Sequence, residues 1–442
     1  MNGIKAFLFK PIDNAQLVVF RVFYGLLVCA ECFGAIGTGW VRRTLIEPQF
    51  TFSFIGFEWL QPLPGNGMYG YFAVMGVLGI MITIGYRYRF AAFGFAFMWA
   101  GAYLMQKTSY NNHYYLLMLL AFIMGFMPAH RDVSVDAKLR PGFRRTHMYN
   151  YFRWIIILQL FIVYTYASIA KWYGDWLDFS IIEILMRSKK DYAVIGEFIQ
   201  QKWVHKIVAV FGILFDFLVV PGLLWKPTRK LFFILSIFFH LFNSFVFRIG
   251  IFPYLSLAFC VFFFDPQTIR NLFLKRKDPE IPDAGDQPKR APILLGALSL
   301  YFLVQLFLPL RHHTFKDDVL WTEEGHRLSW RMMLRSRTGI IKYRVVNKAT
   351  KEESFIDLDD YLTKKQRRKV GAYPDFAWQF AQRLKSEYAE KGIEVSVYVT
   401  SRAKVNGSPY YTFIDPEVDL AAVPWKHFSH NEWILPRETE ED

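Results

Sequence analysis

Cysteine is scarce in this 442-residue chain, with only three: Cys29, Cys32 and Cys260. All lie inside apolar runs, so no disulfide framework holds the fold. Cys29 and Cys32 make a C-x-x-C, but no further ligand pair accompanies it. A structural zinc site needs four ligands, so ordinary packing is the expected role, and no metal site is expected. Acidic residues are also few, 38 against 52 Lys and Arg, for a net charge of +14. Internal repeats and low-complexity runs are absent. No cleavable signal peptide is expected either: Lys5 and Lys10 precede an apolar run too long for an h-region, so the first span should be a signal anchor.

Apolar residues make up 53% of the chain and aromatic ones 19%, more than a soluble domain usually carries. They fall in blocks near 15–37, 67–86, 90–106, 112–128, 149–171, 204–225, 230–248, 250–265 and 291–310. Each approaches the roughly 20 residues that cross a bilayer core, so eight or nine transmembrane helices are expected over residues 1–310. After Leu310 the composition becomes that of a water-soluble domain. IIKYRVV and ESFIDL alternate as a hairpin, and PDFAWQFAQRLKSEYAEK reads as an amphipathic helix with Pro374 in its first turn. VSVYVTS and PYYTFI flank Asn406-Gly407, a strong hairpin signal. Residues 311–442 are therefore expected to form a small α+β domain. A charged linker at 275–290 precedes the last span.

The basic excess is not a nucleic-acid signal. Residues 1–310 hold 30 basic and 17 acidic residues, whereas 311–442 hold 22 and 21. With Lys5 and Lys10 inside, nine spans also put Arg87, Arg89, Arg131, Lys138, Arg140, Arg144, Arg145, Lys226, Arg229, Lys230 and 270–290 inside. The opposite loops hold about half as many basic residues. That bias predicts a cytoplasmic N-terminus and a periplasmic or lumenal C-terminal domain.

Ionisable groups within spans mark function or internal pairing. They are Arg21, Glu31, His113, Arg153, Lys171, Asp216 and His240; Arg21, Glu31 and Asp216 are read as structural pairs. Alone, a lysine at a helix end snorkels, Tyr and Asn at a boundary are anchors, and a membrane histidine can simply bond a neighbouring helix. Topology, however, collects His113, Lys171 and His240 at one depth on the side of the soluble domain. Asn112 and Tyr164 lie nearby. Removal from water disfavours a charged lysine, so in an apolar pocket such a side chain can act as a base near neutral pH. Histidines and Asn112 can hold a polarised oxygen. Base, donors and a greasy pocket suit deprotonation of a phenol-like lipid such as a hydroquinone.

Several stretches resemble, in order, segments of the vitamin K-dependent gamma-carboxylases, whose membrane module is the horizontally transferred transmembrane domain. They are PIDNAQLVVFRVFYG (11–25), KTSYNNHYYL (107–116), FIVYTYASIAKWYGDW (161–176), FFHLFNSFVFRIGIFPY (238–254), LVQLFLPLRHH (303–313), SWRMMLRSR (329–337) and FIDPEVDL (413–420). The resemblance implies an enzyme that oxygenates reduced vitamin K with O2 to the epoxide. The strong base so formed removes a γ-proton from a protein glutamate, which takes up CO2. By motif it implies Lys171 as the initiating base, with Asn112 and His113 orienting the hydroquinone. His240 and Tyr164 would lie at the hydroquinone site, Met332 and Met333 would be walls, and Arg337 a charge partner.

Departures from the family pattern are local. Where the animal enzymes read roughly N-G-L-Y-G-Y, a stretch tied to glutamate binding, this chain reads EEGHRL (323–328). Their stapling cysteine pair and C-terminal extension have no counterpart. Hydroquinone oxygenation is thus the better supported half-reaction, with a quinol epoxidase lacking carboxylation as the nearest alternative. A non-enzymatic quinone or lipid carrier would have no need of Lys171, and a mere scaffold would leave the gathered Lys and His residues unexplained. The expected partners are the bilayer, the quinone and a glutamate-containing protein; no nucleic acid is expected.

Overall fold

A computed structural model describes residues 2–275, 281–282 and 291–437. Most of the linker at 275–290 and the acidic stretch 438–442 lie outside the described residues. The membrane region runs β1 (Pro11–Asp13), α1 (Ala15–Gly37), α2 (Gly67–Ile84), α3 (Tyr88–Met105), α4 (Asn112–Phe126), β2 (His147–Tyr149), α5 (Asn150–Ile169), α6 (Ser180–Arg187), α7 (Lys202–Leu224), α8 (Arg229–Phe242), α9 (Phe252–Phe259) and α10 (Ala291–Phe307). The C-terminal domain comprises β3 (Arg337–Asn347), β4 (Glu353–Ile356), α11 (Lys364–Ala372), α12 (Pro374–Glu390), β5 (Val395–Val405) and β6 (Tyr411–Ile414).

Among the described residues, six helices are long and apolar enough to span a bilayer: α1, α2, α5, α7, α8 with its π-turn extension, and α10 with the turn that follows. The expected count of eight or nine is not reached, because α4 and α9 are too short and α3 carries Arg89, Trp99 and two tyrosines in its 18 residues. Lipid is the natural solvent for the outside of the bundle. On α10, Ile293, Leu300 and Phe307 are 75%, 65% and 64% exposed, which water would oppose.

Close crossing of α1 and α2 depends on small residues. A Cβ on Gly25 would lie 2.5 Å from Thr83 N, and one on Gly79 would lie 2.9 Å from Cys29 N. Dispersion contacts between closely approaching backbones drive helix association in lipid. This crossing accounts for Cys29, whose backbone meets Gly79; both cysteines of the C-x-x-C are free.

Charges at the end remote from the C-terminal domain are satisfied internally. Arg21 donates to Ala129 O (2.7 Å) and Val133 O (2.6 Å), while Arg270 forms a two-pronged pair with Asp13 (2.5 and 2.7 Å). Arg153 Nε donates to Phe262 O. Nearer the C-terminal domain, Glu31 accepts from Tyr114 Oη at 2.6 Å. The structural readings of Arg21 and Glu31 are consistent with these contacts.

The C-terminal sheet is antiparallel, in order β4-β3-β5-β6. Both expected hairpins form, with Tyr343 opposite Ile356 and Ala403 opposite Tyr411; Asn406 in the second turn has φ +54°. α12 begins with Pro374 in its first turn and stops before Gly392, which has φ +74°. α11 was not anticipated. A capping box between Thr363 and Gln366 starts it, satisfying two otherwise orphaned N–H groups.

Side chains dock this domain on the helix ends. Gln379 Nε2 donates to Ser53 O, Leu328 N to Tyr110 Oη, and Trp330 stacks on Tyr115 at 4.8 Å.

Candidate active site at the junction of the helices and the C-terminal domain

The stretch Tyr110-Asn111-Asn112-His113 divides its work. Asn111 caps α4, its Oδ1 accepting from Tyr114 N at 2.7 Å. Asn112 accepts from Tyr110 Oη and donates to Arg331 O, both at 2.8 Å. His113 makes no hydrogen bond among the described residues. Its ring stacks on Phe252 of α9, with centroids 3.9 Å apart, and faces two cavities.

The first cavity, of about 380 Å³, is almost wholly apolar. Its polar groups are His113, Tyr164, Lys171, Asp216, His240 and Asn243. Lys171 follows α5, where the helix has just ended. Its Nζ donates to Asp216 Oδ2 on α7 (2.5 Å) and to Ala167 O (2.9 Å), and stands 5.4 Å from the Trp176 ring centre. Both members of the pair are buried, at 6% and 5% exposure. Tyr164 Oη lies 3.0 Å from His240 Nε2, while His240 Nδ1 is buried without a hydrogen-bond partner. Phe252 stands between the histidines, its centroid 6.0 Å from that of His240. Chemically, this is a buried lysine–carboxylate pair and two imidazoles facing an apolar, aromatic-walled space.

The second cavity, of about 200 Å³, lies against the C-terminal domain. His113, Met332 and Met333 belong to its wall and to that of the first. Its cations are Lys107, Arg327, Arg331, Arg335 and Lys369, and its one lining carboxylate is Glu323. Arg335 grips Glu323 with two N–H groups. Asp375, just behind, binds Lys107 (2.5 Å) and Arg327 (2.7 Å). Burial alone would raise the Asp375 carboxyl, but Arg327 and Lys107 outweigh it and hold it down to about 2. Arg331 Nε and His326 Nδ1 are buried without hydrogen-bond partners. Burial, and then the guanidiniums of Arg335, Arg331, Arg327 and Arg337, push His326 well below the ordinary histidine range. The cavity therefore carries positive charge that no carboxylate among the described residues neutralises.

Residues 323–333, which form the wall on the domain side, are conformationally costly. Glu323, Leu328, Trp330 and Met333 all have φ between +56° and +63°, a region that costs non-glycine residues about 1 kcal/mol or more each. Such strain persists only where packing over-determines it, here through Trp330 on Tyr115 and the Glu323–Arg335 pair.

Of the residues singled out in the sequence, His113, Tyr164, Lys171, His240, Met332 and Met333 meet at the first cavity. Asn112 does not; it faces the second, its amide engaged at both ends. Arg337 lines neither cavity. It points into the C-terminal domain, donating to Leu320 O, Trp321 O and Ala372 O, 3.7 Å from Glu323. Its alternation along β3 turns it there. Asp216, read as a structural pair, is the partner of Lys171; a lone carboxylate within an apolar helix needs a cation at its own depth, and Lys171 was the candidate. His326 carried no signal beyond its place in EEGHRL, and Arg331 none beyond its place in the family-like stretch SWRMMLRSR.

Buried, mutually compensating groups thus gather at the junction of a membrane bundle and a C-terminal domain, and residues 9–267 match the family model of the HTTM domain. Residues 290–440 match that of the vitamin K-dependent gamma-carboxylase lumenal domain, which takes in α10. The chain belongs to the vitamin K-dependent gamma-carboxylase family. It is a membrane protein with a C-terminal domain of the lumenal type. No solved structure matches it. No metal-ligating cluster occurs among the described residues.

Proposed function

We propose that this chain oxygenates a vitamin K-type hydroquinone in the first cavity and carboxylates a protein glutamate held in the second. The observation that carries this reading is the shared wall: His113, Met332 and Met333 separate an apolar cavity containing a Lys–Asp pair from a cationic one. The first has the volume and aromatic lining for a naphthoquinone ring, and its exposed rim residues Trp203 and Phe238 leave a lipid-facing side for an apolar tail. When bound, reduced vitamin K supplies, with O2, the strong base that glutamate carboxylation requires.

The protein's part is proton handling and placement. Lys171 Nζ takes the proton of a bound hydroxyl, its own shared proton residing on Asp216 Oδ2. The pair thereby gains one positive charge and the ring oxygen one negative, so the charge of the dry cavity as a whole is unchanged and little solvent must reorganise. His240, oriented by Tyr164, and His113, held against Phe252, point donors or acceptors at a ring oxygen. Arg331 and His326 offer unoccupied nitrogens to a carboxylate, where charge-assisted hydrogen bonds are strongest. EEGHRL thus contributes Glu323, His326 and Arg327 to this cavity, which favours retained carboxylation. The basic residues of the loops remote from the C-terminal domain support a cytoplasmic N-terminus.

The test is epoxide yield from chemically reduced vitamin K in purified protein, under O2 and bicarbonate, with and without a glutamate-rich peptide. Epoxide that rises with peptide, together with labelled CO2 in the peptide, supports the coupled reaction. Epoxide indifferent to peptide leaves an oxygenase alone. Hydroquinone binding without epoxide indicates a carrier.

A further inference from the structure

A group of cations lies beside the second cavity, with only Lys369 on its wall. Arg43 belongs to the single π-turn Arg42–Ile46 beyond the end of α1. Its guanidinium folds back, Nη1 lying 3.0 Å from where a Cβ on Gly39 would stand; Gly39 has φ +70°. The charge therefore stays level with the end of the span. α11 supplies Lys365, Arg368 and Lys369, and is seated on the same level. Lys365 Nζ donates to Ser109 Oγ (2.5 Å) in the turn joining α3 to α4, and Gln366 Nε2 donates to Phe50 O. Burial, then Lys369, Arg43 and Arg368, push the Lys365 ammonium down to about 8.

None of Arg43, Lys365, Arg368 and Lys369 has a carboxylate partner among the described residues, whereas Arg367 on the same helix pairs with Asp359. Arg43 and Arg368 are exposed and Lys365 half-buried. Four mutually repelling cations drawn from two distant segments are costly unless an anion joins them. Basic clusters beside a span end, at headgroup depth, are suited to anionic lipid.

We propose that Arg43, Lys365 and Arg368, with Lys369 behind them, bind the phosphate of an anionic phospholipid in the leaflet beneath the C-terminal domain. Because α11 also carries Lys369 and leads to Tyr373, both on the wall of the cationic cavity, the lipid would hold that wall against the membrane. This inference is independent of the reaction proposed above.

The experiment is native mass spectrometry of the full chain released from phosphatidylcholine nanodiscs containing phosphatidylglycerol. Wild-type protein should retain phosphatidylglycerol over phosphatidylcholine. The triple variant Arg43→Gln/Lys365→Gln/Arg368→Gln should lose that preference, at about fivefold per charge removed. Arg367→Gln, outside the patch, should retain it. Should the triple variant not fold, Arg368→Glu alone should still reduce the preference. Equal retention by wild type and variants would overturn the proposal. So would displacement of the lipid by millimolar inorganic phosphate, which would mark a site for free anions.

Discussion

The two cavities share a wall and differ in how their charges are balanced. In the apolar one, Lys171 and Asp216 cancel each other, and the remaining surface is aromatic and aliphatic. In the other, Glu323 and Asp375 are already claimed, and Arg331 and His326 remain open. A buried charge is tolerated only with a counter-charge. The first cavity supplies its own and so can accept a neutral lipid. The second leaves its counter-charge to be brought by a ligand.

The comparison breaks most severely at Lys171. Lys171→Ala should lower epoxide formation by at least about 100-fold, the scale of one positioned acid–base group, while hydroquinone still binds. Unimpaired turnover would remove Lys171 from the chemistry. Asp216→Asn should cost about 3 kcal/mol of stability, because it strands a buried cation; thermal unfolding in detergent would show this, and an unchanged midpoint would mean that the pair is not formed. Arg331→Gln should raise KM for a glutamate peptide about tenfold, the loss of one charged hydrogen bond. Its effect on peptide-free epoxide should be smaller; equal losses would merge the two cavities into one function.

Acid sharpens the contrast from the other side. The Asp375 carboxyl lies near 2, below its ordinary 3.8, so its contribution is complete above about pH 4 and is lost as pH falls towards 2. The loss should amount to about 2 kcal/mol. Asp375→Asn should flatten stability against pH in that window while lowering stability at neutral pH. A variant that retained the acid-side slope would place its origin elsewhere.

Much of this was legible in the linear chain because it depends on local properties. The α12 helix, both hairpins and the long spans follow from hydropathy and turn residues within windows of ten to twenty positions. Lys171, His113 and His240 could be brought to one depth because the direction of successive apolar segments alternates in the sequence reading. Depth, however, says nothing of rotation about a helix axis. Asp216 meets Lys171 only because α5 and α7 turn those faces together, and Asn112 turns from the apolar cavity by one residue's rotation from His113. Arg337 belongs to a strand whose alternation points it into its own domain.

The sequence by itself determined a helical membrane bundle and an extracytoplasmic-type α+β domain, and singled out Lys171, His113 and His240. Only the tertiary structure decided that an apolar and a cationic cavity share a wall, that EEGHRL lines the cationic one, and which cations remain unpaired among the described residues. Charge neutralisation is a property of three-dimensional neighbours, and Glu323, Arg331 and Lys107 become neighbours only when the domain docks.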